Sequence, residues 1–250
     1  MEKVILQAFL RSIPAGLCAV FLFFSTACNS ETAPDCLKST GPTVRIPRAF
    51  KHSSQLFVSD NINVTLSPLP AHTLELEGGR NVLHKIAVDT FDVLAFENQN
   101  TCDFVRSYKR PINAYLADTA IENIRQFGFG DIKTTDTITG PHFQVQGYGA
   151  GNIDLQLNNQ FTNLDLNGFG NLRLTGRTRL LKAYQLKYYR LDARSFSADT
   201  CIIGLDGEGD LHLNCNTYLK AHIRGPGNVY YSGNAVAERS GSGSGKLIKE

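Results

Sequence analysis

Apolar and polar residues alternate along most of this chain. Leu56-Phe57-Val58, Ile62-Asn63-Val64-Thr65-Leu66 and Leu74-Glu75-Leu76-Glu77 open the pattern, and Ile86-Ala87-Val88 and Asp92-Val93-Leu94-Ala95-Phe96 continue it. Further on, Ile153, Leu155 and Leu157 share a face, as do Leu164 with Leu166, Leu172 with Leu174, and Leu219, Ala221 and Ile223. A period of two in runs of this length predicts half-buried β-strands. No window carries the 3.6-residue period of an amphipathic helix.

From residue 121 the strands acquire a regular punctuation. The units are Gly128-Phe129-Gly130-Asp131-Ile132, Gly149-Ala150-Gly151-Asn152-Ile153, Gly168-Phe169-Gly170-Asn171-Leu172, Gly207-Glu208-Gly209-Asp210-Leu211 and Gly225-Pro226-Gly227-Asn228-Val229. Gly243-Ser244-Gly245-Lys246-Leu247 closes the series, and Lys187-Tyr188-Tyr189-Arg190-Leu191 stands where one unit is missing. The step is 18 to 21 residues. Strands separated by a fixed mark at this period predict an all-β solenoid, in which each coil buries its apolar face against its neighbours. Glycine suits a corner that needs positive φ or close backbone approach. The Asp or Asn that follows is expected to brace its own turn, and stacking would align Asp131, Asn152, Asn171, Asp210 and Asn228 in a ladder. None of the units opens a helix, so a dinucleotide site is not indicated.

The N-terminus has a different character. Lys3 and Arg11 precede a mostly apolar run from Ile13 to Phe24, shorter than the roughly 20 residues of a spanning helix. Ser25-Thr26-Ala27-Cys28 follows and resembles a lipobox, with Ser25 where Leu is usual. Residues 1–27 are therefore expected to be a signal peptide, and Cys28 the acylated residue holding the chain to a membrane. More than one acyl chain is needed for such an anchor to be stable. Residues 28–43 read as a flexible tether, 44–120 as an N-terminal β part and 121–250 as the repeat part, with 44–247 one continuous domain.

Export permits disulfides. Cys36, Cys102, Cys201 and Cys215 remain after processing, and four cysteines allow three connectivities. Cys201 is in phase with Ile203 and Leu205, and Cys215 with Leu211 and Leu213, so both read as buried thiols. A Cys36–Cys102 bridge would tie down the N-terminal segment. A net charge of +2 lacks the basic excess of a nucleic-acid binder. Neither Cys nor His shows zinc-ligand spacing, and no cofactor or metal is expected.

In their order along the chain, these strands resemble the auto-transporter adhesin head GIN domain family. Leu56 to Ser59 and Ile62 to Leu66 are similar to its opening strands, and Leu74 to Gly78 with Asn81-Val82-Leu83 to the next strand and turn. Pro111-Ile112-Asn113-Ala114-Tyr115-Leu116 is similar to the strand leading into the repeats, and the Gly-x-Gly units to its Gly-Ser-Gly turns. The resemblance covers roughly residues 44 to 247. It implies a right-handed, β-helix-like solenoid on a bacterial cell envelope, without established catalytic residues and with adhesion as the suggested role. The chain departs from the family pattern at Lys187 to Arg190, and it uses Phe, Ala, Glu or Pro where Ser is usual.

The expected protein is a non-catalytic lipoprotein of a Gram-negative outer membrane, on its surface or periplasmic face, binding a protein or glycan. Exposed solenoid ends would permit self-association. Lys187, Tyr188, Tyr189 and Arg190 are the expected contact residues, because tyrosine combines apolar area with a hydrogen-bonding tip. Asp206, Glu208 and Asp210 cluster at one turn and could hold a cation through oxygens. Two other roles stay open: a carbohydrate-active enzyme on a β-helix, and a structural envelope protein with no ligand.

Overall fold

The computed structural model describes residues 39–89, 91–101 and 111–250. The signal segment, Cys28, Cys36 and Cys102 lie outside the described residues. The first strands are β1 (Thr43–Pro47), β2 (Gln55–Val58), β3 (Ile62–Ser67), β4 (Thr73–Gly79), β5 (Ile86–Asp89), β6 (Leu94–Asn98), β7 (Ile112–Ala117), β8 (Asn123–Gln126) and β9 (Ile132–Thr134). The repeat region supplies β10 (Ile138–Gly147), β11 (Ile153–Leu166), β12 (Asn171–Gln185), β13 (Arg190–Leu205), β14 (Leu211–Ile223), β15 (Val229–Ser232), β16 (Val236–Ser240) and β17 (Leu247–Lys249). A single helical turn, α1 (Arg80–Leu83), follows Gly78-Gly79 and buries Val82 and Leu83.

The chain is a β-solenoid. β8, β10, β11, β12, β13 and β14 pair in parallel, each with the strand one repeat later. The long strands bend midway, so each contributes one half to one coil and the other half to the next. The aliphatic residue that ends each repeat unit stacks on its counterpart. Val64, Ile132, Ile153, Leu172, Leu191, Leu211, Val229 and Leu247 form one continuous row. The facing row runs Leu94, Leu56, Ile124, Val145, Leu164, Ala183, Ile203 and Ala221. Fully burying one such aliphatic side chain contributes about 1.5–3 kcal/mol, so the core is a sum of many like terms spread along an axis.

Coil order departs from chain order near the start. The β2–β3 coil lies between the β6–β7 coil and the β8–β9 coil, because Leu56 pairs with both Leu94 and Ile124, and Val64 with both Ala114 and Ile132. Beyond β7 the pairing turns antiparallel: β4 runs against β7, and β1 against β4. β5 likewise runs against β6. These antiparallel strands close that end of the parallel stack.

The corner glycines resolve a question left open by the sequence. None of the ten from Gly128 to Gly227 has positive φ; they are required by close approach. A Cβ on Gly149 would overlap the carbonyl oxygen of Gly128, and one on Gly170 that of Gly151. Positive φ appears instead at the opposite bend, at Gly176 (φ 106°).

The Asp/Asn ladder forms, but between coils and not within each turn. Asp131 Oδ1 accepts the Asn152 backbone N–H at 2.8 Å, and Asn152 Oδ1 accepts from Asn171 Nδ2 at 2.8 Å. Asp210 Oδ1 accepts the Asn228 N–H at 2.8 Å, and Asn228 Oδ1 the Lys246 N–H at 3.0 Å. The ladder also extends back past the repeats: Asn63 Oδ1 accepts the Asp131 N–H at 2.9 Å, and Asn63 Nδ2 donates to Asn113 Oδ1 at 3.0 Å. Arg190 interrupts it, standing level with Asn171.

Candidate functional site

Stacking turns the middle residue of every Gly-x-Gly unit into a position on one outer edge. Backbone hydrogen bonds link the edge coil by coil: Ala150 N–H to Gly128 O, Phe169 N–H to Gly149 O, Tyr188 N–H to Gly168 O, and Glu208 N–H to Lys187 O. The edge therefore reads Phe129, Ala150, Phe169, Tyr188, Glu208, Pro226. Its first part is aromatic and open to solvent, with Phe129 73%, Phe169 59% and Tyr188 49% exposed. Phe169 and Tyr188 stack at 5.4 Å between ring centroids, and the Lys187 ammonium lies 5.7 Å from the Phe169 ring. A shoulder row runs beside the edge, where Phe57, Phe127 and Tyr148 stack in sequence at 5.1 and 4.9 Å.

Beyond Tyr188 the edge becomes charged and internally paired. Asp206 accepts from Arg224 Nε at 2.7 Å and from the Tyr184 hydroxyl at 2.8 Å, and Arg224 Nη2 also reaches Asp206. The guanidinium contact holds the Asp206 carboxyl below the usual aspartate range, and hydrogen bonding to Asp206 pushes the Tyr184 phenol up. Glu208 meets the Tyr188 hydroxyl and raises its pKa in the same way. Asp210 belongs to the ladder. Asp206, Glu208 and Asp210 thus have separate partners, so this turn does not gather the oxygens with which it could have held a cation.

The expected contact tetrad divides three ways. Lys187 and Tyr188 lie on the aromatic edge. Arg190 is exposed on a different wall, where it lines a shallow charged cleft of about 520 Å³ with Arg173, Asp192 and His212. Tyr189 is fully buried and is no contact residue. It occupies the second-glycine position of its unit, which faces inward, and its ring fills the space beneath Gly147 and Gly170. Its hydroxyl donates to Gln126 Oε1 at 3.3 Å, and burial pushes that hydroxyl's pKa upward. Gln185 secures the glycine-free turn by donating to the carbonyls of Lys187 and Tyr189, both at 2.9 Å, and accepting the Gly207 N–H at 3.1 Å. Cys201 and Cys215 are free and buried, as their phase predicts.

One further cluster had no sequence signal. His52, His72 and Asp118 bring one ligand-type atom each within 4.8 Å of one another. His52 precedes β2, His72 precedes β4 and Asp118 follows β7, so the N-terminal coil order assembles them.

Solved structures share this architecture. A "putative adhesin" from Bacteroides fragilis matches with a TM-score of 0.76 at 20% identity, over 84% of this chain and 97% of that one. A second from Parabacteroides merdae matches with a TM-score of 0.66 at 15% identity, over 85% and 98%. A "putative lipid binding protein" from Parabacteroides distasonis matches with a TM-score of 0.65 at 14% identity, over 85% and 98%. No curated protein sequence matches the chain. The family model described as "Putative auto-transporter adhesin, head GIN domain" matches residues 54–235, most of the solenoid, and the chain belongs to that family.

Proposed function

We propose that this chain is a non-catalytic interaction module of the bacterial cell envelope, held to the outer membrane of a Gram-negative cell through an acylated Cys28, that binds a protein or glycan partner along its aromatic edge. The carrying observation is the row Phe129, Phe169 and Tyr188. These rings are exposed along one edge of a scaffold whose inward strand positions, such as Leu155, Leu174, Leu191 and Leu213, are buried throughout. An open row of rings next to a lysine offers flat apolar area with polar groups at its margin, which suits recognition. Family membership supports an adhesin-like role. The carboxylates nearest the edge are engaged by Arg224, Tyr188 and Asn228, which supports binding over acid–base catalysis.

The test couples the purified chain to beads and measures retention on a glycan array and on immobilised extracellular-matrix proteins. The triple substitution Phe129→Ser, Phe169→Ser, Tyr188→Ser is expected to keep the β circular-dichroism spectrum and to reduce retention at least tenfold. Unchanged retention by the triple variant, or no retention of the original chain on either surface, would overturn the proposal.

A further inference from the structure

Asp118 is a carboxylate in an unusual place. Its side chain has no solvent exposure, yet its ionic partners among the described residues are two imidazoles and no lysine or arginine. Buried charges are paired with an opposite charge or coordinate a metal. Asp118 Oδ1 accepts the Ala120 N–H at 2.9 Å, which fixes the carboxylate plane. His52 Nδ1 lies 2.9 Å from Asp118 Oδ2, and His72 Nδ1 lies 3.5 Å from the same oxygen. The two imidazoles are themselves in contact, with ring centroids 3.8 Å apart.

These separations suit a metal ion. A zinc ion bound at about 2.0–2.1 Å by nitrogen and oxygen ligands at tetrahedral angles sets its ligand atoms roughly 3.3 Å apart. The observed 2.9 and 3.5 Å lie on either side of that value. Two imidazole nitrogens and one carboxylate are donors preferred by first-row transition metals over calcium or magnesium, which favour all-oxygen sites. The surroundings hold the donors in place. Phe50 packs against the His72 ring at 4.2 Å between centroids. His72 itself is held at φ 47°, a left-handed conformation uncommon for residues other than glycine and frequent at ligand clamps. The histidine side chains keep 62% and 40% of their exposure, so an ion has an open path and a fourth coordination position faces solvent.

We propose that His52, His72 and Asp118 form a binding site for a divalent transition-metal ion, with zinc the best fit. Both histidines ligate through Nδ1 as the tautomer carrying hydrogen on Nε2, and Asp118 ligates through Oδ2. The site keeps one position for water or for a ligand brought by a partner. It lies at the antiparallel-capped end of the solenoid and is independent of the aromatic edge.

The experiment strips the purified chain with a chelator, titrates zinc sulfate by calorimetry, and records the visible spectrum after Co(II) loading. One equivalent is expected to bind, to raise the melting temperature, and to give the Co(II) bands of a low-symmetry nitrogen–oxygen site. His52→Ala and His72→Ala alter exposed side chains and should leave the fold intact. Each is expected to weaken zinc binding at least tenfold and to abolish the melting shift. Asp118→Asn retains an acceptor for the Ala120 N–H and should weaken binding as much. Three results would overturn the proposal: no stoichiometric binding, zinc affinity unchanged in both histidine variants, or sulfur-to-cobalt charge-transfer bands showing that cysteines hold the ion.

Discussion

At the scale of single residues, Tyr189 and the glycines above it show how one departure from the repeat is accommodated. A Cβ on Gly147 would come within 2.8 Å of the Tyr189 ring, and one on Gly170 would meet its hydroxyl oxygen at the same distance. The tyrosine therefore uses volume that glycine leaves free one coil away at Gly170 and two coils away at Gly147. Gly147→Ala in the native background overpacks this space and should cost about 1–3 kcal/mol. Tyr189→Ala should cost about 3–5 kcal/mol through the cavity it leaves. In the double variant the new methyl enters that cavity, and alanine is otherwise preferred to glycine within a strand by about 0.5–1 kcal/mol. Gly147→Ala is thus expected to become neutral or stabilising once Tyr189 is alanine. A denaturant double-mutant cycle reads this as a coupling of about 0.5–3 kcal/mol, and strict additivity would contradict the packing argument.

At the scale of the element, the regular coil was legible in the sequence, because every coil repeats the same local requirements. Glycine where the preceding coil's carbonyl presses close, Asp or Asn to reach the next N–H, and an aliphatic to enter the row can be read from any single unit. The edge was legible in its residues but not in its meaning. Phe129 and Phe169 look like departures from a family pattern until stacking places them in one line with Tyr188. Tyr189 was misplaced because the irregular unit suggests exposure, whereas alignment of its position with Gly170 puts it inside. The tie between β12 and the turns after β13 and β14 has a testable consequence. Tyr184, Asp206 and Arg224 sit in three successive coils, and Arg224 holds the Asp206 carboxyl below its ordinary value of about 3.9. A depressed carboxylate stabilises the fold fully above its unfolded-state pKa, and the contribution is lost as pH falls through the folded value. Arg224→Ala is expected to move the Asp206 titration, followed by carboxyl-carbon NMR, upward toward that ordinary value. The variant should also lose less stability than the parent on acidification below about pH 4. An unmoved Asp206 titration would show that the guanidinium is not the cause.

At the scale of the whole molecule, what the sequence concealed was long-range order. The β2–β3 coil inserts between two coils that come later in the chain, and Leu56 meets Ile124 with no repeat motif to announce it. The His52, His72 and Asp118 cluster depends on that same order, so no spacing along the chain could reveal it. Because each coil touches only its neighbours, stability should be nearly a sum of local terms, and the ends must be finished to stop fraying. Antiparallel β1 and β4 finish one end. At the other, the inward row that runs through Ile203 and Ala221 arrives at Arg239. Its guanidinium turns across the last corner, donating to Gly243 O at 2.6 Å, Gly245 O at 2.9 Å and Gly241 O at 3.3 Å. An exposed charged side chain in register with the apolar row, bound to three carbonyls of the last described corner, is a polar lid on that row. Arg239→Ala is therefore expected to raise amide hydrogen exchange in β16 and β17 at least tenfold, while the amides of β11 to β13 exchange at the parent rate. The nearest-neighbour argument allows a small change in β14, which pairs directly with β16, and none beyond it. A uniform loss of protection from β8 to β17 would mean that the solenoid opens as one cooperative block, and that Arg239 stabilises the entire stack and not just its final coil.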